Sequence, residues 1–413
     1  MEKRVLALGP DRHGKVAICE NDRVVYWGDA KGAPEHRGAE HLACAEGTIL
    51  PGWVCSHTHL YSGLVPLGMP APALKPENFV QILERVWWRL DRALDAETLR
   101  ASARYYVANA LLYGSTGVVD HHESPNFIEG SLDVLADACQ ELGVRGVMCY
   151  GATDRNGGVE EGRRGLEECA RFIKANERPL VRGMVGLHAS FTVSDETVRA
   201  SGAMCRDLGV PLHVHVAEDA ADVADARQRG YQGPAARLIA LEAAVPGSLF
   251  IHGIHMTPSE VIAAEASGAW FVQNPRSNSG NAVGYPHALQ FAQRVALGTD
   301  GYPADMPAEL AFLREENARY GEDEAVGVHR LLSGWRMLGQ IFGTALGPMV
   351  PLAGENESLL ADLRVEDAQG VQHVVVGGDV KVRNRQLVHG DLQAITAEAK
   401  EAAQRLWKEM ERY

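Results

Sequence analysis

PGWVCSHTHLY (residues 51–61) is an apolar run that ends in two histidines, His57 and His59. At a spacing of two on an extended strand their side chains point to the same side. Two imidazoles turned inward are costly unless they find a partner, and a metal ion is the simplest one. Taken alone, the pair reads equally well as a surface strand with two histidines. Its recurrence elsewhere changes that. Seven further apolar runs follow: STGVVDHH (115–122), VRGVMCYGA (144–152), LVRGMVGLHA (180–189), VPLHVHVAE (210–218), SLFIHGIH (248–255), AWFVQNP (269–275) and RVALGTDG (294–301). Helical patterns lie between them, such as DVLADACQELG (133–143), GLEECARFIKA (165–175) and PAARLIALEAAV (234–245).

Eight strand–helix units in order predict an α/β fold closed as a parallel (β/α)8 TIM barrel over residues 52–349. An open doubly wound sheet is the alternative, weakened because no glycine-rich dinucleotide fingerprint follows any strand. Short β-type runs fill the first fifty residues, RVLALG (4–9), KVAICEN (15–21) and RVVYWGD (23–29). A similar run, HVVVGGDVKVRNRQLVHGD (373–391), returns near the end. Both chain ends, 1–51 and 350–392, are therefore expected to form one small β-sandwich. The amphipathic segment 393–413 is expected to be a helix packed on the barrel or on a partner.

Composition narrows the function classes. Hydrophobic residues make up 46% of the 413 and charged residues 23%, an ordinary globular balance. Forty Lys and Arg face 54 Asp and Glu for a net charge of −14, which argues against nucleic acid. The amino-terminal stretch has no apolar signal region. No run approaches about 18 uninterrupted apolar residues, so no membrane partner is expected. The seven cysteines form no C-x-x-C pair and read as reduced thiols of a cytoplasmic protein. Cys55 could line a site, or be a buried structural thiol.

The chemistry lies where apolar runs end, because strand ends of a parallel barrel converge on one rim. His57 and His59 end the first run, His213, His215 and Glu218 the fifth, His252 and His255 the sixth, and Asp300 the eighth. Each alone has a bland reading; Asp before Gly, for example, is usually a turn residue. Together, three imidazoles and one carboxylate suffice for a catalytic metal that keeps a position open for water. Glu218 is placed to move protons and His252 to orient the nucleophile or polarise the substrate.

These segments resemble the amidohydrolase superfamily, in its aminohydrolase and chlorohydrolase branch, through PGWVCSHTH, HVHVAE, IHGIHM, the NPRSN of 274–278 and LGTDG. NFVQILERVWWRLDRAL (78–94), VVDHHESPN (118–126), NPRSNSGNAVGY (274–285) and GTDGYPADM (298–306) are similar to its SsnA-type aminohydrolases. The resemblance implies His57, His59, His215 and Asp300 as ligands of one divalent metal, Zn2+ or else Fe2+ or Mn2+. It implies Glu218 as proton shuttle, His252 beside the attacking oxygen, Asp300 also as a proton acceptor, and His188 as a substrate contact. It further implies a homodimer whose partners are a small heterocyclic substrate and water. The activity implied is hydrolytic deamination of an amino-substituted N-heterocycle such as a purine or pteridine. The alternatives are ring-opening hydrolysis of a cyclic amide in an oxidised purine, and a non-catalytic binding protein on a hydrolase fold. The chain departs from the pattern at Pro66, Leu67, Gly68 and Met69, where an Ala-Arg-Gly-Met-like loop is expected and the arginine is missing. The segment 352–376 also looks shorter than usual.

Other features have two readings each. Trp87 and Trp88 could cap a substrate or pack in the core. His121, His122 and Glu123 could line a pocket or form a polar loop; His122 is carried as a substrate contact. Arg276 could bind an anionic or carbonyl group of the substrate, or form a structural salt bridge. Tyr302 and Asp305 fall on a rim loop.

Overall fold

The computed structural model describes residues 4–36, 38–343 and 359–413. All eight apolar runs form strands: β1 (Trp53–Thr58), β2 (Ser115–Asp120), β3 (Arg145–Met148), β4 (Val185–Ala189), β5 (Leu212–Val216), β6 (Leu249–His252), β7 (Trp270–Gln273) and β8 (Val295–Leu297). Neighbours pair in parallel from β1 to β3 and from β4 to β8. The third and fourth units are each broken. Val181–Gly183 pairs with β3, while Gly151–Ala152 pairs with β4, so the ladder passes between them in two steps. A parallel bridge from Thr58 to Asp300 closes β8 onto β1. The fold is a TIM barrel. Its strands are buried along nearly their whole length, as a sheet covered on both faces requires.

The chain ends form two five-stranded sheets. One is built from the first forty-four residues with Leu359–Leu360 at its edge. The other pairs Thr48–Pro51 with Leu363–Asp367 and continues through Gly370–Val376, Asp379–Arg383 and Gln386–Leu387. The boundary expected at residue 349–350 lies outside the described residues. Arg145 at the start of β3 ties this sheet to the barrel: its Nε and Nη2 donate to the Asp362 carboxylate at 2.5 and 3.0 Å. The last helix, Leu392–Met410, lies on the barrel helix Ala96–Leu112, where Arg100 and Arg104 both meet Glu398.

One element shapes the site directly. After β1 the chain runs through Phe79–Ile82, a π-helical turn Leu83–Trp87, and Trp88–Ala93. The Asn78 side chain caps the first of these by accepting from Gln81 N. The extra residue of the π turn shifts the helical phase, a feature frequent at functional sites. Phe79, Leu83, Ile254 and Val283, with Trp87, Trp88 and Phe191 against them, form an apolar cluster separate from the barrel core.

Candidate active site

At the carboxyl ends of the strands, His57, His59, His215 and Asp300 come together. Asp300 Oδ1 is 3.0 Å from His57 Nε2 and 2.9 Å from His59 Nε2, and His215 Nε2 is 3.3 Å from His57 Nε2. The ligand atoms of His57, His215, His252 and Asp300 all lie within 4.8 Å of one another. Backbone strain accompanies the convergence. Ala217, His252 and Asp300, each at a strand end, have φ of 53°, 73° and 53°, a region side-chain-bearing residues rarely enter.

Hydrogen bonds fix which nitrogen of each ring faces inward. His59 Nδ1 lies 2.5 Å from the carbonyl of His121, and His215 Nδ1 lies 2.6 Å from the carbonyl of His188. A carbonyl only accepts, so each Nδ1 carries the proton and each Nε2 points its lone pair into the cluster. A longer relay does the same for His57. Cys149 Sγ donates to the Asp120 carbonyl at 3.4 Å and sits 3.5 Å from His213 Nδ1. That nitrogen therefore donates, and His213 Nε2 accepts from His57 Nδ1 at 2.9 Å. Burial holds His213 neutral, well below the usual imidazole range. Asp300 is oriented by the Ser277 hydroxyl on its other oxygen.

The donor set fits a cation. Three Nε2 lone pairs and a carboxylate oxygen face one another about 3 Å apart, an arrangement that is repulsive without positive charge between them. A proton supplies some of it. Burial would lower His59, but its bond to Asp300, with Glu123 and the His121 carbonyl, lifts it to about 9. His57 is driven the other way, to about 3, chiefly by burial. A divalent ion with N and O ligands answers all four atoms at once.

Glu218 and His252 stand beside this cluster. Glu218 Oε2 is 3.3 Å from His252 Nε2, and Asn281 Nδ2 reaches Glu218 Oε1 at 3.5 Å. His252 Nδ1 meets Asn278 Oδ1 at 2.8 Å, which leaves Nε2 buried, facing the site and without a hydrogen bond. Burial and the nearby Asp300 charge raise Glu218 well above the usual carboxylate range. A carboxyl whose proton affinity is raised suits transfer in both directions.

A cavity opens beyond these groups. His59, His215, Glu218 and Asp300 line it on one side, and Phe79, Leu83, Trp87, Trp88 and Phe191 on another. His188 lines it too, held by Nδ1 to Thr192 Oγ1 at 2.9 Å. Two expected substrate contacts are placed differently. Arg276 is engaged by the buried Glu309 carboxylate and by the Pro303 carbonyl, and its guanidinium stacks over Tyr302; the salt-bridge reading is the one observed. His122 is fully buried, bonds Ser124 Oγ at 2.8 Å and packs against Tyr61 and Tyr150. Its neighbour Glu123 takes the place at the cavity wall. Leu67, where an arginine was expected, packs against the core. Both tryptophans line the cavity, so core packing describes neither completely. Cys55 is buried with its thiol toward Thr299 and the His57 carbonyl. His255 is exposed, and Asp305 caps the helix Met306–Tyr320.

Comparison with known proteins agrees with this architecture. The family model described as "Amidohydrolase family" matches residues 48–330. The 8-oxoguanine deaminase of Pseudomonas aeruginosa is 27% identical, over 97% of this chain and 96% of that protein. The 5'-deoxyadenosine deaminase of Methanopyrus kandleri is 26% identical, over 87% and 86%. Among solved structures, an adenosine deaminase from Xanthomonas campestris with bound zinc superposes with a TM-score of 0.79 at 22% identity, covering 97% of this chain and 98% of that one. Atrazine chlorohydrolase TrzN from Arthrobacter aurescens, complexed with zinc, gives 0.76 at 20% identity, covering 94% and 95%.

Proposed function

The chain belongs to the amidohydrolase family, and from that premise we propose that it is a metal-dependent hydrolytic deaminase of an amino-substituted N-heterocycle, of purine or pteridine type. The observation that carries this reading is the placement of Glu218 and His252 beside four converging donor atoms, with Glu218 on the wall of a cavity that aromatic side chains also line. The names of the relatives, deaminases of 5'-deoxyadenosine and of 8-oxoguanine, support the same reaction type.

In this proposal His57, His59, His215 and Asp300 hold one divalent cation, zinc by analogy with the zinc-bound relatives. Such a cation supplies Lewis acidity, lowering the pKa of water toward about 7. The chain's own groups do the rest. Trp87, Trp88 and Phe191 enclose the heterocycle and exclude bulk water. Glu218 takes a proton from the attacking water and delivers it to the ring nitrogen next to the carbon attacked. A second proton passes through Glu218 to the amino group, the carbon–nitrogen bond breaks and ammonia leaves. The net change is addition of one water and loss of one ammonia. His252, whose Nδ1 donates to Asn278 Oδ1, presents the Nε2 lone pair 3.3 Å from Glu218 and accepts a hydrogen bond from the attacking water, which orients it.

The test is ammonia release from a panel of aminopurines, aminopyrimidines and aminopteridines by metal-quantified protein. Turnover of at least one member is expected, with Glu218→Gln slowed about 100-fold or more while metal content stays level. Full turnover by that variant, or a gain of one water without ammonia (the signature of ring opening), refutes the assignment.

A further inference from the structure

Glu123 plays no part in the chemistry above, and its environment is unusual. It is 3% exposed and lines the cavity. Its two oxygens are incompletely satisfied. Oε2 accepts from the Tyr61 hydroxyl at 3.3 Å, a long contact. Oε1 has His121 Nδ1 at 3.0 Å, but off the hydrogen-bond axis, so both atoms are buried without a hydrogen bond. Oε1 is closed off against His121, so the oxygen a ligand can meet is Oε2, whose one long contact from Tyr61 leaves acceptor capacity that is costly to bury unfilled.

Position identifies which part of a ligand could do so. An oxygen of Glu123 lies within 4.8 Å of ring nitrogens of His188 and of His215. His215 is one of the converging donors, so Glu123 stands about one ring's width from the reaction centre. A heterocycle seated there meets it with its own edge. The indole of Trp88 is held in place beside this path. Arg155 stacks over it with 4.9 Å to the ring centroid and is itself anchored by the buried Asp91. The cavity therefore offers flat apolar walls and, at one point of the rim, a hydrogen-bond acceptor.

We propose that Glu123 is a specificity-determining residue that accepts a hydrogen bond from a ring N–H of the substrate, so that the protein selects oxo- or amino-heterocycles with a lactam or amidine N–H on the edge facing Glu123. This deepens the deaminase reading and rests on it for the location of the reacting carbon. Rings that present only acceptor nitrogens on that edge leave Glu123 unpaired and bind weakly.

Hypoxanthine tests this without turnover, because it has no amine to lose. Its affinity for the metal-loaded protein is measured by calorimetry, beside 1-methyl-, 7-methyl- and 9-methylhypoxanthine, each with one N–H position blocked. In the wild type one methyl position should weaken binding tenfold or more relative to the parent. In Glu123→Ala that one penalty should shrink to threefold or less, with Glu123→Gln between, and metal content unchanged. A uniform loss for all four ligands in Glu123→Ala, an unaltered pattern, or no binding of any of the four would overturn the proposal. Inosine is measured beside them, and an effect of Glu123→Ala confined to inosine would likewise overturn the proposal and assign Glu123 to a ribose diol. A metal content of two per chain that falls to one in Glu123→Ala would make it a ligand instead. Ammonia release from the aminoheterocycle panel is scored separately. A protein that discriminates by N–H yet releases no ammonia refutes deamination and leaves the role of Glu123 standing.

Discussion

Replacing His213 by phenylalanine should weaken metal binding without touching any of the four converging donors. His213 lies in β5, two residues before His215, and its Nε2 accepts from His57 Nδ1 at 2.9 Å. Phenylalanine fills nearly the same space but accepts nothing. His57 is then left with an unpaired Nδ1–H in a fully buried position, or must move its proton to Nε2 and donate it to Asp300, 3.0 Å away. The second choice consumes the lone pair that a cation needs. An unsatisfied buried donor costs about 1–3 kcal/mol. Divided by RT, that is about a 5- to 150-fold loss in affinity, in line with the tenfold to hundredfold effects typical of groups that orient metal ligands. The assay is competition against a chelator of known zinc affinity, with circular dichroism to verify that the variant folds. Folded His213→Phe protein that binds zinc as tightly as the wild type would refute the relay from Cys149 through His213 to His57.

Metal removal should also register in stability. Stripping the ion leaves three lone pairs and a carboxylate facing one another, so the melting temperature should fall on chelation and recover with zinc, by about 4 kcal/mol equivalent at a thousandfold excess over Kd; an identical melt in both states contradicts the donor geometry. Asp362→Ala should cost about 3–5 kcal/mol in urea denaturation, because it leaves Arg145, 4% exposed, as an unpaired buried charge between sheet and barrel, whereas Arg145→Met with Asp362→Leu should cost less than the sum of the two. Burial pushes Asp222 up from the ordinary 3.8 to about 7, against the Ala217 N–H that it accepts at 2.6 Å. The folded chain thus binds a proton that the unfolded chain has released between about pH 4 and 7, so this group makes stability fall as pH rises through that window. Asp222→Asn should flatten the decline in melts from pH 4 to 8, and an unchanged slope would count against it.

The barrel was legible because its signal is redundant. Eight buried strands cannot alternate, so each reads as a short apolar block, and a slip of one residue at any block leaves the count intact. The breaks in the third and fourth units are different. Met148 to Gly151 and Gly183 to Val185 are still apolar, and what splits them is the change of pairing partner, which local sequence does not encode. The same limit explains the exchange of His122 for Glu123. Period-two alternation assigns sides only while the chain is extended; β2 ends at Asp120 and only the single bridge from His122 to Tyr150 follows, so the phase no longer holds at Glu123. The π turn at Leu83–Trp87 does likewise on a helix. A 3.6-residue period cannot be carried unbroken through the extra residue, and both tryptophans line the cavity.

His213 shows why a site can be half visible in a sequence. The spacing His213-x-His215 repeats that of His57-x-His59, and same-side geometry invites the same role for both pairs. The two pairs nevertheless do different work. In the first, both rings present Nε2 to Asp300; in the second, only His215 reaches the cluster, and His213 stops one layer deeper, against the Nδ1 of His57. Depth along the barrel axis separates them. In β1 the second histidine falls just beyond the last strand residue, Thr58, so the pair straddles the rim, while β5 continues past His215 to Val216 and holds both of its histidines within the strand. Left-handed residues turn the chain where these strands finish: Ala217 directly after β5, His252 as the last residue of β6, and Asp300 three residues beyond β8. Glycine follows the latter two, at 253 and 301, but the residues under strain carry side chains, so composition gives no warning of it. That strain persists because the bonds around each turn over-determine it: His255 N to Ala217 O, Gly253 N to Val216 O, and the amides of Thr299 and Asp300 both to His57 O. The last pair binds the end of β8 to the histidine that Asp300 faces, so the carboxylate and the imidazole are positioned by the same backbone contact that closes the barrel.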